Sequence, residues 1–257
     1  MKKHFCRNCG DELTGRYCSQ CGQRNDIGRL SWKALFEGFM SVIFGKDYNR
    51  ESGDIPRYGL FGTFWRILFH PVTTIKEYIA GKRVRYFSPI GMLFLLSALC
   101  VLFSYWTGVK IMDGQPETPG FEPFLEYGNT HPVVFWLLVA PFSALAYKWV
   151  FAKISNVKYV EYLYIEIFLS IIGMTITCAR ILFLSIFPAR ENTVAYLFSG
   201  IEAIVIVGIS AALFHSLLKI SRSRAIFSSL VGNIVGYVLI FAAIFAATLV
   251  CVLVFGL

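Results

Sequence analysis

Residues 164–187, YIEIFLSIIGMTITCARILFLSIF, carry only two charges, Glu166 and Arg180, in an otherwise apolar run. At a rise of about 1.5 Å per residue, a helix of this length crosses roughly 30 Å of hydrocarbon. The same reading applies to Ser88–Trp106, Val133–Ala152, Tyr196–Leu218 and Leu230–Phe255. The expected fold is an all-α integral membrane helix bundle of about five spans, headed by a small N-terminal module whose Cys6, Cys9, Cys18 and Cys21 stand in the spacing of a four-cysteine zinc ribbon.

Composition agrees. The 257 residues are 56% hydrophobic and 16% charged, against about 25% charged for a soluble domain. The deficit falls after residue 88, so a mixed, basic head is joined to an oily body. The net charge of +8 is read as topology and not as nucleic-acid binding, because Lys and Arg gather on the cytoplasmic side of membrane proteins. Lys82, Arg83 and Arg85, then Lys148, Lys153 and Lys158, then Lys219, Arg222 and Arg224 fall on one side. Lys110 with Asp113, Glu117, Glu122 and Glu126, then Arg190 and Glu191, fall on the other. This alternation places the N-terminus in the cytoplasm and the C-terminus outside, in the inner (cytoplasmic) membrane of a cell. Lys2 and Lys3 are followed by no apolar h-region, which argues against a cleavable signal peptide. The expected divisions are a ribbon at 1–27, amphipathic interfacial helices at 28–87 and a transmembrane domain at 88–257.

The ribbon rests on Cys6-Arg7-Asn8-Cys9-Gly10 and Cys18-Ser19-Gln20-Cys21-Gly22. Two residues between cysteines let one tight turn present both thiolates to one ion. The glycine that follows takes the positive φ such a turn needs. Two such turns complete a tetrahedral four-thiolate site suited to structural Zn²⁺, with no open position for catalysis. In a reducing cytoplasm a close cysteine cluster signals metal more often than disulfide. The metal ligands are therefore Cys6, Cys9, Cys18 and Cys21; Cys100, Cys178 and Cys251 read as small buried residues.

Trp32, Leu35, Phe36, Phe39, Met40 and Ile43 follow a helical period from Ser31. Gly45 and the polar stretch Lys46 to Asp54 end that helix. A second segment runs from Leu60 to Phe69 and is broken by Pro71. A third, with Val72, Ile75 and Ile79, leads to Gly81. None is long enough to span, and two placements stay open: flat on the bilayer or packed on the helix bundle. Lys82, Arg83 and Arg85 stand just before the first span as a lipid-headgroup basic cluster, each charge worth about 1 kcal/mol near anionic lipid.

Charged and polar residues inside spans are functional candidates. Arg180 and Glu202 lie at matching distances from the outer ends of spans three and four, and Glu166 and His215 from the inner ends. The expectation is an Arg180–Glu202 ion pair and a second polar contact, Glu166–His215. Gly232 and Gly236 form a G-x-x-x-G pattern that allows close helix approach, with Asn233 beside it to hydrogen-bond a neighbour.

The ribbon, Cys6 to Arg24, together with Thr63, Pro71, Tyr78, Gly81-Lys82-Arg83, Tyr86 and Pro89, resembles a family of bacterial membrane proteins with an N-terminal zinc ribbon and a domain of unknown function. A T, a P and a Y-x-x-G-K-R-x-x-Y-x-x-P run lead into the first span in that pattern. The resemblance covers about the first 100 residues. It implies zinc and a membrane location, and it implies no activity. Gly81 is expected to turn the chain before the bilayer, with Tyr86 at headgroup level.

No H-E-x-x-H, G-x-S-x-G or phosphate-binding loop is present. His4, His70, His131 and His215 are scattered, so no catalytic residues are assigned. The leading reading is a non-enzymatic scaffold or partner-binding membrane protein. Its ribbon would meet a cytoplasmic protein partner, and its body would meet membrane lipids. A small transporter or channel using the polar residues of spans three and four is the alternative. A lipid-directed membrane enzyme has the least support. Oligomeric state is left open.

Overall fold

In a computed structural model, residues 5–24, 30–44, 58–112, 122–187 and 191–255 are described. The expectations for His4, for Gly45 and the stretch Lys46 to Asp54, and for Asp113, Glu117 and Arg190 lie outside these residues. So do those for the side chains of Glu122, Glu191 and Cys251. Nine helices occur in order among the described residues: α1 (Trp32–Phe44), α2 (Gly59–Phe69), α3 (Pro71–Ile79), α4 (Pro89–Thr107), α5 (Glu122–Thr130), α6 (Pro132–Val150), α7 (Tyr159–Ile186), α8 (Glu191–Leu218) and α9 (Arg222–Phe255). Five are long and apolar enough to cross a membrane: Pro89–Thr107, Pro132–Val150, Tyr159–Ile186, Thr193–Leu218 and Arg222–Ala246. The all-helical, roughly five-span membrane fold is as the hydropathy requires.

Three helices, α7, α8 and α9, begin at least five residues earlier than the apolar runs do. α7 starts at Tyr159 because the Glu161 carboxylate reaches back to accept the Lys158 N–H at 2.9 Å, satisfying a donor that helix geometry leaves unpaired. α9 starts at Arg222, behind Ser221, whose Oγ accepts the Arg224 N–H at 3.4 Å. Hydropathy locates where a helix is oily, whereas capping groups locate where it begins. The sequence reading also missed α5. Within it, Asn129 Oδ1 accepts the Met112 N–H at 2.7 Å and its Nδ2 donates to the Met112 carbonyl at 3.2 Å. One amide side chain thus mimics a backbone partner.

The chain divides into two compact units, Met1–Leu95 and Leu96–Leu257. In the first, α1 lays Phe39 edge-on against Phe94 of α4, 6.0 Å between ring centres, while Trp32 and Phe36 face outward. α2 buries Thr63 and Ile67 and exposes Phe61, Trp65 and Phe69. Both helices therefore pack on protein with one face and present aromatic rings with the other. α3 opens on Pro71, whose missing N–H costs nothing in a first turn. It closes in a Schellman motif, with Lys82 N donating to Glu77 O at 3.0 Å and Gly81 N to Tyr78 O at 3.1 Å. Gly81 sits at φ +101°, a conformation that would strain any side chain.

In the second unit α7 is the central helix. Of its span, 67% is buried, against 17% for that of α9. α9 turns Phe227, Ile234, Val238, Phe241 and Phe245 outward, the surface that hydrocarbon would cover. The Gly232-x-x-x-Gly236 pattern faces α6. A Cβ on Gly232 would stand 2.8 Å from the Tyr147 ring, and one on Gly236 would stand 3.3 Å from Ser143 Oγ. The two glycines let α6 and α9 approach closely, as small residues do where lipid supplies no hydrophobic drive.

Candidate functional site

The ribbon is a repeat with an offset of twelve residues. Gly10 N donates to Cys6 O at 2.8 Å, and Gly22 N to Cys18 O at 2.9 Å. Cys6 N donates to Asp11 O and Cys18 N to Gln23 O, each at 2.8 Å. The single antiparallel bridges, Phe5 with Glu12 and Tyr17 with Arg24, obey the same offset. Gly10 and Gly22 adopt φ of +83° and +68°, as the C-x-x-C-G spacing demands. The two knuckles bring Cys6, Cys9, Cys18 and Cys21 together, their sulfur atoms all within 4.8 Å of one another. Cys6 Sγ lies 3.6 Å from Cys21 Sγ and Cys9 Sγ lies 3.5 Å from Cys18 Sγ. Zinc–sulfur bonds of about 2.3 Å place tetrahedral sulfur atoms roughly 3.8 Å apart. The donor set and spacing therefore fit a divalent metal.

Electrostatics point the same way. Burial, with the neighbouring thiols, pushes the Cys9 thiol up to about 12. Burial also opposes ionisation of Cys18, but the N–H groups of Gln20 and Cys21 outweigh it and lower its pKa. The four sulfurs cannot all ionise side by side without a cation to hold them.

Within the first unit, three contacts tie the ribbon to residues after it in the chain. Arg85 Nη2 donates to the Asn8 carbonyl, between two of the cysteines, at 2.8 Å. Gly81 lies against Arg7, and an added Cβ would stand 3.2 Å from Arg7 Cδ. Arg24 pairs with Glu37 of α1 at 3.7 Å. Around Arg85 the cluster before the first span folds inward. Glu77 is its hub: Tyr86 donates its hydroxyl to Oε2 at 2.5 Å, with Lys82 at 3.5 Å and Arg85 at 3.8 Å. Burial would raise the Glu77 pKa, but the Tyr86 hydroxyl and the charges of Lys82 and Arg85 hold it below the usual carboxylate value. Burial and the Glu77 carboxylate raise that of Tyr86.

Nearly every residue of the T…P…Y-x-x-G-K-R-x-x-Y-x-x-P pattern has work inside this junction. Thr63 Oγ1 donates to Gly59 O at 2.6 Å and accepts the Phe87 N–H at 2.9 Å, pinning the chain just before α4. The Tyr78 and Tyr86 rings meet at 6.4 Å, and Arg83, 5% exposed, stands over Tyr78 at 5.9 Å. Pro71 and Pro89 open α3 and α4. Tyr86, expected at headgroup level, has its ring inside the protein: it is 1% exposed, because Glu77 satisfies its hydroxyl and so permits full burial of the ring.

In the helical body, Arg180 Nη2 donates to the Lys110 carbonyl at 3.0 Å and to that of Ile111 at 2.5 Å, capping the turn after α4. The Glu202 carboxylate lies over Gly173 of α7, where a Cβ would stand 2.6 Å from Oε1. His215 Nδ1 contacts the Ile220 carbonyl at 2.5 Å, and Glu166 Oε1 is buried with no hydrogen-bond partner. No hydrogen bond joins these two among the described residues. Asn233 Nδ2 donates to Tyr147 Oη at 2.7 Å and to Ser229 O at 2.8 Å, which makes it a link between α9 and α6.

Sequence reasoning missed three features. Cys100 of α4 and Cys178 of α7 are not merely small buried residues: they form a disulfide, with Cα atoms 5.3 Å apart. Their separation of 78 residues leaves no local spacing to betray it. Glu77 escaped notice as a lone acid on an amphipathic helix. Arg66, which the sequence analysis did not single out, lays its guanidinium over the Tyr58 ring at 4.5 Å.

Compared with known proteins, the chain matches no curated protein and no solved structure. Residues 58–101, from the turn before α2 through most of α4, match the family model described as "Protein of unknown function (DUF3667)", and that segment holds all of the junction except the ribbon.

Proposed function

We propose that this chain is a non-enzymatic, polytopic membrane protein that acts as a scaffold or partner-binding component, with a structural Zn²⁺ in its ribbon. In this reading residues 1–27 form the ribbon, 28–87 the interfacial helices and 88–257 the transmembrane domain. The protein sits in the inner (cytoplasmic) membrane with its N-terminus cytoplasmic and its C-terminus outside. The alternation of Lys and Arg between the spans supports that orientation.

One observation carries the proposal: a closed four-thiol centre whose knuckle loop is bonded through Asn8 to Arg85. Four sulfurs leave the metal no position for substrate, so the metal's part is to shape and hold a surface. Zn²⁺ would be held by Cys6, Cys9, Cys18 and Cys21, and when bound it would supply folding energy to a segment with almost no apolar interior. Crosslinking in cells with the ribbon intact and deleted tests the idea. A partner captured only with the ribbon is expected; identical profiles would refute it.

A second reading, a small transporter or channel, is favoured by the orphaned carboxylate oxygen of Glu166 and by Glu202 lying over Gly173. Ionisable groups inside spans commonly mark ion paths. Solute flux in liposomes that is lost in Glu166→Gln would favour it over scaffolding.

A further inference from the structure

We infer that α2 is seated in the bilayer surface, with its outward rings Phe61, Trp65 and Phe69 immersed among the acyl chains of the leaflet that α4 enters. This deepens the interfacial part of the reading above and rests on α4 crossing the membrane. Three observations within the first unit carry it. First, α2 has two unlike faces. Phe61, Trp65 and Phe69 recur every four residues, each more than 60% exposed, and the Trp65 and Phe69 rings meet edge to face with centres 4.9 Å apart. Buried Thr63 and Ile67 stand on the opposite side of the helix, about 180° away at roughly 100° per residue. A row of large rings is an apolar patch that asks for a cover.

Second, the ridge is uncharged. Arg66 is the one charged residue of α2, and its guanidinium is folded back over the Tyr58 ring at 4.5 Å. Half-buried Phe64 and Leu68 border the ridge on one side and Gly62 on the other. A protein partner's interface surrounds its apolar core with a polar rim. Hydrocarbon asks for no rim, and an aromatic apolar face of this kind suits the headgroup–acyl boundary.

Third, α2 is fastened to the chain where that chain enters a span. The Tyr58 N–H donates to the Arg85 carbonyl at 3.0 Å, and Thr63 Oγ1 accepts the Phe87 N–H at 2.9 Å. Phe87 stands two residues before α4 begins at Pro89, and α4 is long and apolar enough to cross a membrane. These two bonds hold α2 beside the entry of α4, at the level where hydrocarbon starts. With 11 residues α2 is about 16 Å long, half of what a crossing requires, so it can lie in the surface but cannot span. Arg85 carries the consequence to the metal site. Its carbonyl holds α2 while its Nη2 donates to the Asn8 carbonyl of the ribbon at 2.8 Å, so the seat of α2 keeps the ribbon beside the bilayer.

Tryptophan quenching in the full chain, reconstituted into phosphatidylcholine vesicles with brominated acyl chains, tests the assignment. One version keeps Trp65 and a second keeps Trp106 of α4, with the remaining tryptophans replaced by Phe. Trp65 is expected to be quenched more by bromine near the top of the acyl chains than by bromine near their ends, and to be spared by aqueous iodide. That pattern reports a ring about 5–10 Å into the headgroup–acyl boundary. Quenching of Trp65 by iodide but not by brominated lipid would place the ridge in water, and quenching by neither would place it under protein; each overturns the proposal. Trp106 separates the failures. If brominated lipid quenches Trp106 but not Trp65, the seat of α2 falls and the membrane body stands; if it quenches neither, both fall. Should the replacements spoil folding, benzoylphenylalanine in place of Phe69 in the otherwise native chain decides. Irradiation of whole membranes is expected to yield a lipid adduct by mass spectrometry, and an adduct to a protein or to a second copy of this chain in its stead would overturn the proposal.

Discussion

Between Phe5 and Arg24 the only apolar side chains that are buried are Cys6 and Cys18, accompanied by Asn8 and Gln23. Along α7, by contrast, the buried set runs almost without interruption from Val160 to Met174. The ribbon therefore has no oily interior to hold it, and what it offers instead is four thiols gathered closely enough to bind a metal. The body has interior in abundance but little polar adhesive, and it relies on close approach at Gly173, Gly232 and Gly236 with a few hydrogen bonds such as Asn233 to Tyr147. The junction between Tyr58 and Pro89 works by a third means, a cluster of charge and aromatic rings around Glu77. One chain thus combines a metal-ready thiol set, an ionic cluster and close helix packing in successive regions.

Stripping the metal should produce the greatest change. A chelator, or Cys9→Ala, is expected to unfold residues 5–24, removing apparent metal-binding energy of about 10–16 kcal/mol, while the spans stay inserted. Limited proteolysis and zinc content measure this. A ribbon that resists protease after losing its metal would show that some other core holds it.

Packing in the body comes next. Gly232→Leu drives a side chain into the Tyr147 ring and should destabilise the detergent-solubilised protein by about 3 kcal/mol, at the upper end of typical overpacking costs. Thermal unfolding measures it, and an unchanged midpoint would mean that α6 and α9 do not depend on close approach.

The junction should respond to pH. The Glu77 pKa is lower in the folded protein than its ordinary value of 4.5, so its contribution is present above that value and fades as pH falls through the depressed one. Glu77→Gln is expected to cost about 2 kcal/mol at neutral pH, as for loss of hydrogen bonds to a charged group. It should also flatten the acid limb of the stability profile. If wild type and variant lose stability in parallel on acidification, Glu77 is not the hub.

The smallest effect is expected at Asn233→Ala. Interhelical hydrogen bonds inside membranes average about 0.6 kcal/mol, and the thermal midpoint should move only slightly. A large drop would mean that the body leans on polar adhesion as heavily as the junction does.

Four residues in C-x-x-C-G spacing can be recognised as a metal centre without any structure, because two residues between thiols make one turn and the turn is local. The spans were equally plain, since the oil required to cross lipid must lie in one continuous run. Helix starts were less so: the α7 start depends on Glu161, whose role is visible only once its carboxylate is seen to reach Lys158 N. The burial of Tyr86, the seating of Arg180 on Lys110 and Ile111, and the Cys100–Cys178 bond were not legible at all. Each joins positions whose relation no period encodes.

Composition, thiol spacing and apolar run length are properties of neighbouring residues, and they sufficed for a zinc-ribbon-like head on a helical membrane body. Tertiary structure alone decided that Arg85 would reach Asn8, 77 residues away, and Asn233 would reach Tyr147, 86 residues away. The physical reason is that a side chain's partner is set by where its helix packs. Packing depends on the shape and charge of every surface that meets there, which no single stretch of the chain contains.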